Sequence, residues 1–265
     1  MKKEILISGV VVLIVLFFVI GVNAEDLIWN DIGRGNTDFR TVLISPDNPR
    51  NIYAGTGNSI IKTEDGAESW RIILSINGKN KSVNLLLFGP KDKNSIYAAT
   101  GNGLFYSSNE GKTWSKIFQG KNYLENDCTI LAALPQSIYL GTKGGLFVSK
   151  DRGRSWFKET GILGKSQIFS IAGDIKEPDY IYVACTDGVF KTQNAGQAWE
   201  RIFVANYSEN GNEAEEESKS QEEDNFSYIR YIIRDHNKLN YLYLATSRGV
   251  YKSEDKGKNW EPVPS

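Results

Sequence analysis

Along most of the chain, short apolar runs are separated by clusters of Gly, Asn, Asp, Ser and Pro. Runs this short fit buried strands better than amphipathic helices, and the clusters between them read as turns. In the first unit Phe39-Arg40-Thr41-Val42-Leu43-Ile44 is an apolar inner strand ended by Pro46-Asp47-Asn48-Pro49. Asn51 to Thr56 is the second strand, Gly57-Asn58 a tight turn, Ile60 to Thr63 the third strand, and Trp70 to Leu74 an outer strand. The small residues of the second strand suit close approach of a neighbouring sheet.

This plan recurs with a fixed ruler. Tyr53 and Trp70, Tyr97 and Trp114, Tyr139 and Trp156, Tyr182 and Trp199, and Tyr243 and Trp260 are each 17 residues apart. The tryptophans follow one another at intervals of 44, 42, 43 and 61. Such periods mark a repeat architecture in which each unit buries its apolar face against a neighbour. The inner strands of units two to five begin near Ser82, Cys128, Gln167 and Tyr228. The long last interval is explained by residues 206–225, rich in glutamate and poor in apolar side chains, which read as a disordered acidic loop lacking the oxygen spacing of a calcium site. Leu27-Ile28-Trp29-Asn30-Asp31-Ile32-Gly33 matches only the end of a unit and is expected to pack against the last one and help close a ring.

Composition changes this picture little. The 265 residues carry a formal charge of -1, so no bulk attraction to nucleic acid is expected, and Lys121, Lys143, Lys165 and Arg248 are scattered over separate loops. Residues 1–24 contain the apolar stretch Ile5 to Ile20 followed by Val22-Asn23-Ala24, which reads as a signal peptide or an uncleaved membrane anchor; either places the domain of residues 25–265 outside the cytoplasm. Cys128 and Cys185 are the only cysteines, read either as a disulfide or as two small buried side chains.

Before each repeat tryptophan stands Ser/Thr-x-Asp/Asn-x-x-x-Ser/Thr-Trp with a glycine inside it. The key pairs are Asp65 with Trp70, Asn109 with Trp114, Asp151 with Trp156, Asn194 with Trp199 and Asp255 with Trp260. A short carboxylate or amide can accept backbone hydrogens across such a turn while Gly takes a left-handed conformation, which makes the motif a folding device. Ala67 for Gly, Ala198 and Asn259 for Ser/Thr are departures expected to weaken their own turns. Over residues 27 to 265 these motifs resemble the Asp-box, or BNR-type, β-propellers of sialidases, sortilin-like receptors, some endoglucanases and photosystem assembly factors. The resemblance implies an all-β propeller of five four-stranded blades, with the Asp-box turns on one face and the inter-unit loops on the other. It leaves function open, since enzymes and docking modules share the fold.

Candidate chemistry is sparse. A sialidase-like site would need gathered arginines, and Arg40, Arg230 and Arg234 lie on or beside inner strands; a glycosidase would need two opposed carboxylates, for which Asp31, Asp174 and Asp235 are candidates by location alone. His236 has no second histidine or cysteine partner for zinc, and no metal site, cofactor or catalytic set is expected. The sequence reading is therefore an extracytoplasmic protein-binding or complex-assembly scaffold, its partner an exported or membrane-associated protein. Its contacts are expected through Asn58, Asn102, Tyr123, Lys143, Asp187, Tyr207 and Arg248. The alternatives are a glycoside hydrolase or carbohydrate-binding propeller with a glycan ligand, and a structural envelope protein.

Overall fold

The computed structural model describes residues 38–204 and 229–264. They form five four-stranded antiparallel sheets, each a simple up-and-down meander. Sheet 1 holds β1 (Phe39–Ile44), β2 (Ile52–Thr56), β3 (Ser59–Thr63) and β4 (Arg71–Ser75), and sheet 2 holds β5 (Val83–Phe88), β6 (Ile96–Thr100), β7 (Gly103–Ser107) and β8 (Ser115–Phe118). A one-turn helix, α1 (Tyr123–Asn126), precedes sheet 3, made of β9 (Cys128–Ala133), β10 (Ile138–Thr142), β11 (Gly145–Ser149) and β12 (Phe157–Lys158). Sheet 4 comprises β13 (Ile168–Asp174), β14 (Glu177–Cys185), β15 (Gly188–Thr192) and β16 (Glu200–Val204), and sheet 5 comprises β17 (Ile229–Arg234), β18 (Leu242–Thr246), β19 (Gly249–Ser253) and β20 (Glu261–Pro262). The five repeat units thus correspond to five sheets. Each tryptophan stands just before its outer strand, because it still belongs to the Asp-box turn.

Consecutive sheets pack face to face, β1 on β5, β5 on β9, β9 on β13 and β13 on β17. Four apolar clusters fill the four junctions. Alternation along each strand explains this: one side chain points to the preceding sheet, the leading face, and the next points to the following sheet, the trailing face. The small residues of the second strands permit the approach. A Cβ on Gly141 would lie 2.6 Å from Cγ2 of both Ile130 and Ile168. Hydrogen bonds cross the same junctions: Leu86 N–H donates to Thr41 Oγ1 at 3.2 Å, Thr129 Oγ1 to the Ile168 carbonyl at 2.7 Å, and Ser170 Oγ to the Ile232 carbonyl at 3.1 Å.

Among the described residues, β17 and β1 do not pack on one another as the other inner strands do. Trp29 and its neighbours, the stretch at residues 5–20 and the acidic segment 206–225 lie outside the described residues. Among the described residues no helix is long and apolar enough to cross a membrane.

All five Asp-box turns form. In each, two successive residues take positive φ, from Gly66 and Ala67 (79° and 81°) to Lys256 and Gly257 (61° and 85°). The leading hydroxyl accepts the backbone N–H four residues on, as Ser149 Oγ does from Gly153 at 2.7 Å, and donates to the Asp or Asn, at 2.9 Å for Asp151. That Asp or Asn in turn accepts the N–H before the tryptophan, 2.8 Å for Ser155 and 2.9 Å for Ala198. Of the departures, Asn259 keeps the side-chain contact, donating Nδ2 to Asp255 Oδ2 at 2.6 Å, while Ala198 loses it. Ala67 still donates its N–H to Thr63 Oγ1 at 3.0 Å.

Both thiols are buried and free. Burial raises Cys185 to about 11, and Cys128 is driven up further for the same reason. Cys185 stands where the other second strands end in Thr, whose hydroxyl closes the following turn, as Thr142 Oγ1 does on the Gly145 carbonyl at 2.8 Å.

Candidate functional site

Every inner strand carries one extra residue at the same place. The registers skip between Phe39 and Thr41, Val83 and Leu85, Ile168 and Ser170, and Ile229 and Tyr231, and Cys128 pairs out of step with Ile130. The bulged residues are Arg40, Asn84, Thr129, Phe169 and Arg230. A bulge frees a side chain from the alternation of its strand and re-aims it, which is why bulges recur beside binding sites.

Three of these side chains line a cleft of about 330 Å³ across sheets 1 to 3, at the end of the strands where the inter-sheet linkers run. Arg40, Asn84 and Thr129 form its floor, and Asn80, Ser82, Asp127 and Lys143 come from linkers and a turn. The groups are tied together. Arg40 donates Nε to Asp38 Oδ2 at 2.9 Å and NH1 to Asn84 Oδ1 at 3.3 Å. Asn84 Nδ2 donates to the Cys128 carbonyl at 2.8 Å and to Asp127 Oδ1 at 3.3 Å, and Lys143 Nζ reaches Asp127 Oδ2 at 2.7 Å. Asp127 is buried and, among the described residues, is the one carboxylate lining the cleft.

α1 sets the wall beside it. Asn122 caps the turn by accepting N–H groups of Leu124 and Glu125 at 3.0 Å each. Burial pushes the Glu125 carboxyl up, yet Lys158 Nζ at 2.8 Å and the Lys121 N–H at 2.8 Å outweigh it and hold the group below its ordinary range. The helix is thereby pinned inward by Glu125, which leaves Tyr123 80 % exposed and Leu124 exposed beside it.

The sequence-derived contact residues fall into three groups. Lys143 lines the cleft, and Tyr123 stands on α1, one turn from Asp127. Asn58, Asn102, Asp187 and Arg248 occupy equivalent turns between second and third strands on the same end of the molecule, and each is engaged in shaping its turn. Asn102 and Arg248, for example, donate their N–H groups to Thr100 Oγ1 (3.0 Å) and Thr246 Oγ1 (3.1 Å), and Asp187 accepts from Ser166 and Thr186. They are not gathered into the cleft. Tyr207 and Asp31 lie outside the described residues.

Sequence reasoning missed Asn80, Ser82, Asn84, Asp127 and Thr129, because only the bulge register and the linker folds bring them together. The signal available was the recurrence of a non-aliphatic residue second in several inner strands. Of the candidate arginines, Arg40 is in the cleft and Arg230 holds the equivalent bulge of sheet 5. Arg234 is at the opposite end of β17, buried against Glu177 and over the rings of Tyr180 and Tyr182. Asp174 and Asp235 are at that end too. Asp174 meets His236 Nδ1 at 2.5 Å, and Asp235 accepts the N–H groups of Asn237 and Lys238 at 2.7 and 2.9 Å. Among the described residues no three His, Cys, Asp or Glu side chains are grouped to hold a metal ion.

Several solved structures share the fold. The Niastella koreensis GH74 enzyme aligns with a TM-score of 0.62 at 17% identity over 84% of this chain and 38% of that one. The extracellular domain of a putative one-component system from B. thetaiotaomicron aligns at 0.61 and 14% identity, over 86% of this chain and 28% of that one. YCF48 bound to D1 peptide aligns at 0.58 and 15% identity, over 86% of this chain and 69% of that one. The chain thus spans under two fifths of the first two. At these identities the likeness is one of fold. No curated protein matches in sequence. Two repeat models do match, the BNR-Asp box repeat over residues 146–160 and the BNR/Asp-box repeat over residues 105–116. With the same turn built five times in the structure, the chain carries repeats of the BNR/Asp-box type.

Proposed function

We propose that this chain is an exported, non-catalytic carbohydrate-binding propeller whose ligand lies in the cleft across sheets 1 to 3. The observation that carries the reading is the lining itself: the side chains of Arg40, Asn80, Ser82, Asn84, Thr129 and Lys143 present donors and acceptors in one concave site, as hydroxyl-rich ligands require. The fold likeness to GH74 enzymes supports a glycan over other polar ligands. Hydrolysis is disfavoured by the carboxylate count. Glycosidases set two carboxyl groups roughly 5 to 9.5 Å apart, whereas among the described lining residues Asp127 is the one carboxylate and is committed to Lys143 and Asn84.

Calorimetric titration with soluble plant and bacterial polysaccharide fragments tests this. Binding should weaken about tenfold or more in Asn84→Ala and Lys143→Ala, each group being worth on the order of 1.5 kcal/mol as a hydrogen bond to a charged or polar partner. Absence of binding to any glycan, or release of reducing ends on incubation, would overturn the proposal. A second reading, docking of an exported protein, is favoured by Tyr123, whose ring is held out on a capped turn as protein-contact aromatics are. Tyr123→Ala would abolish in situ crosslinking to a discrete partner under that reading while leaving glycan titrations largely intact.

A further inference from the structure

Five equivalent positions on the inner strands point toward the preceding sheet: Val42, Leu86, Leu131, Ile171 and Ile232. The last four are buried, yet Val42 is 55 % exposed. Toward the following sheet the same holds in reverse. Ile60, Leu104, Leu146 and Val189 are fully buried while their counterpart Val250 is 43 % exposed, and Tyr231 and Ile233 of β17 are likewise uncovered. The leading face of sheet 1 and the trailing face of sheet 5 are therefore the two halves of the junction that this chain forms four times internally, and among the described residues they do not form it with one another.

A pair of departures from the repeat fits these two ends to one another. At three internal junctions an isoleucine from the outer strand presses its Cδ1 on the Asp-box glycine of the next sheet. A Cβ built on that glycine would lie 2.6 Å from Ile73 at Gly111, 2.8 Å from Ile117 at Gly153 and 2.4 Å from Ile202 at Gly257. A side chain larger than glycine there would require the isoleucine to shift. Sheet 1 carries Ala67 at this position, and sheet 5 carries Val263 where the isoleucine stands, three residues after Trp260. Valine lacks the very atom that would strike the alanine methyl. Val263 is itself 41 % exposed.

We propose that the trailing face of sheet 5 in one copy seats on the leading face of sheet 1 in a second copy, with Val263 over Ala67, so that the chain associates head to tail. The contact is heterologous, and it generates a ring or an open row of copies according to the turn per copy. It is independent of the cleft, which lies across sheets 1 to 3.

Sedimentation velocity of the purified full chain should show a mass that rises with concentration. Val42→Asp and Ile233→Asp, at exposed positions that tolerate charge in the monomer, should each shift the association midpoint at least tenfold upward. Mixed in equal amounts they should yield a dimer and nothing larger, because each retains one intact end. Copies with Ala67→Cys mixed with copies with Val263→Cys should form a disulfide-linked dimer under mild oxidation, the native thiols being buried. A monomer at every concentration, association indifferent to both charges, or an Ala67→Cys/Val263→Cys chain that crosslinks within a monomer would each overturn the proposal, the last by showing that the sheets close on themselves.

Discussion

Sheet 3 and sheet 5 are built from the same repeat and share the same turn, yet they are differently supported. Sheet 3 is covered on both faces, by clusters that include Leu131 and Phe147 toward sheet 2 and Tyr139 and Leu146 toward sheet 4. Among the described residues, sheet 5 is covered on one face only. What separates them is the neighbour and not the local sequence, because each unit cannot bury its second face alone.

Substitution at matched positions should expose this difference most strongly. Leu146→Ala removes a fully buried side chain and is expected to lower stability by about 2–5 kcal/mol, while Val250→Ala should cost the monomer under about 0.5 kcal/mol. Urea unfolding of the two variants reads the contrast, and equal losses would show that sheet 5 is covered after all. A smaller effect concerns the tryptophans. Trp156 Nε1 donates to the Ile117 carbonyl at 2.8 Å, whereas Trp260 Nε1 is buried without a partner. Trp156→Phe should lose about 1 kcal/mol more than Trp260→Phe, since an unmet donor contributes nothing when it is removed.

Acid should sharpen the comparison among turns. The Ser155 hydroxyl holds Asp151 at about 2, the Asn259 N–H holds Asp255 at about 2, and Asp65 is lowered further by Ser69 and Thr63. These folded values lie below the unfolded carboxylate value of about 3.9. Their contribution is thus complete above roughly pH 4 and is lost as pH falls toward 2. Sheets 2 and 4, with Asn109 and Asn194, have no such titration. Hydrogen exchange at decreasing pH should loosen the turns of sheets 1, 3 and 5 first, and Asp151→Asn should remove that dependence from sheet 3. The smallest expected change is a gain: Ala198→Ser supplies the hydroxyl missing from the fourth turn and should add a few tenths of a kcal/mol in thermal unfolding, as an exposed hydrogen bond does.

Much of this architecture was legible from the chain. The ruler from Tyr to Trp located five sheets because both residues are set by packing between sheets, and the Ser/Thr and Asp/Asn positions of the turns announced their own hydrogen bonds. The helix at Tyr123–Asn126 was not legible, since a single capped turn has no periodicity to detect. Nor was the cleft. Asn84 and Thr129 look like interruptions in apolar strands, and only the skipped register reveals that they are displaced from the alternation. Ring closure is read from Trp29 and its neighbours, which lie outside the described residues.

The bulge described in all five inner strands has one more consequence. Because the extra residue stands outside the in-and-out rhythm, its identity is released from the demands of the core: arginine, asparagine, threonine, phenylalanine and arginine occupy it in turn while the strand beyond continues unchanged. A repeat protein ordinarily ties every copy to the same packing template. Here one site per copy is exempt, so mutation can rewrite that end of the molecule one letter at a time without renegotiating the scaffold that displays it.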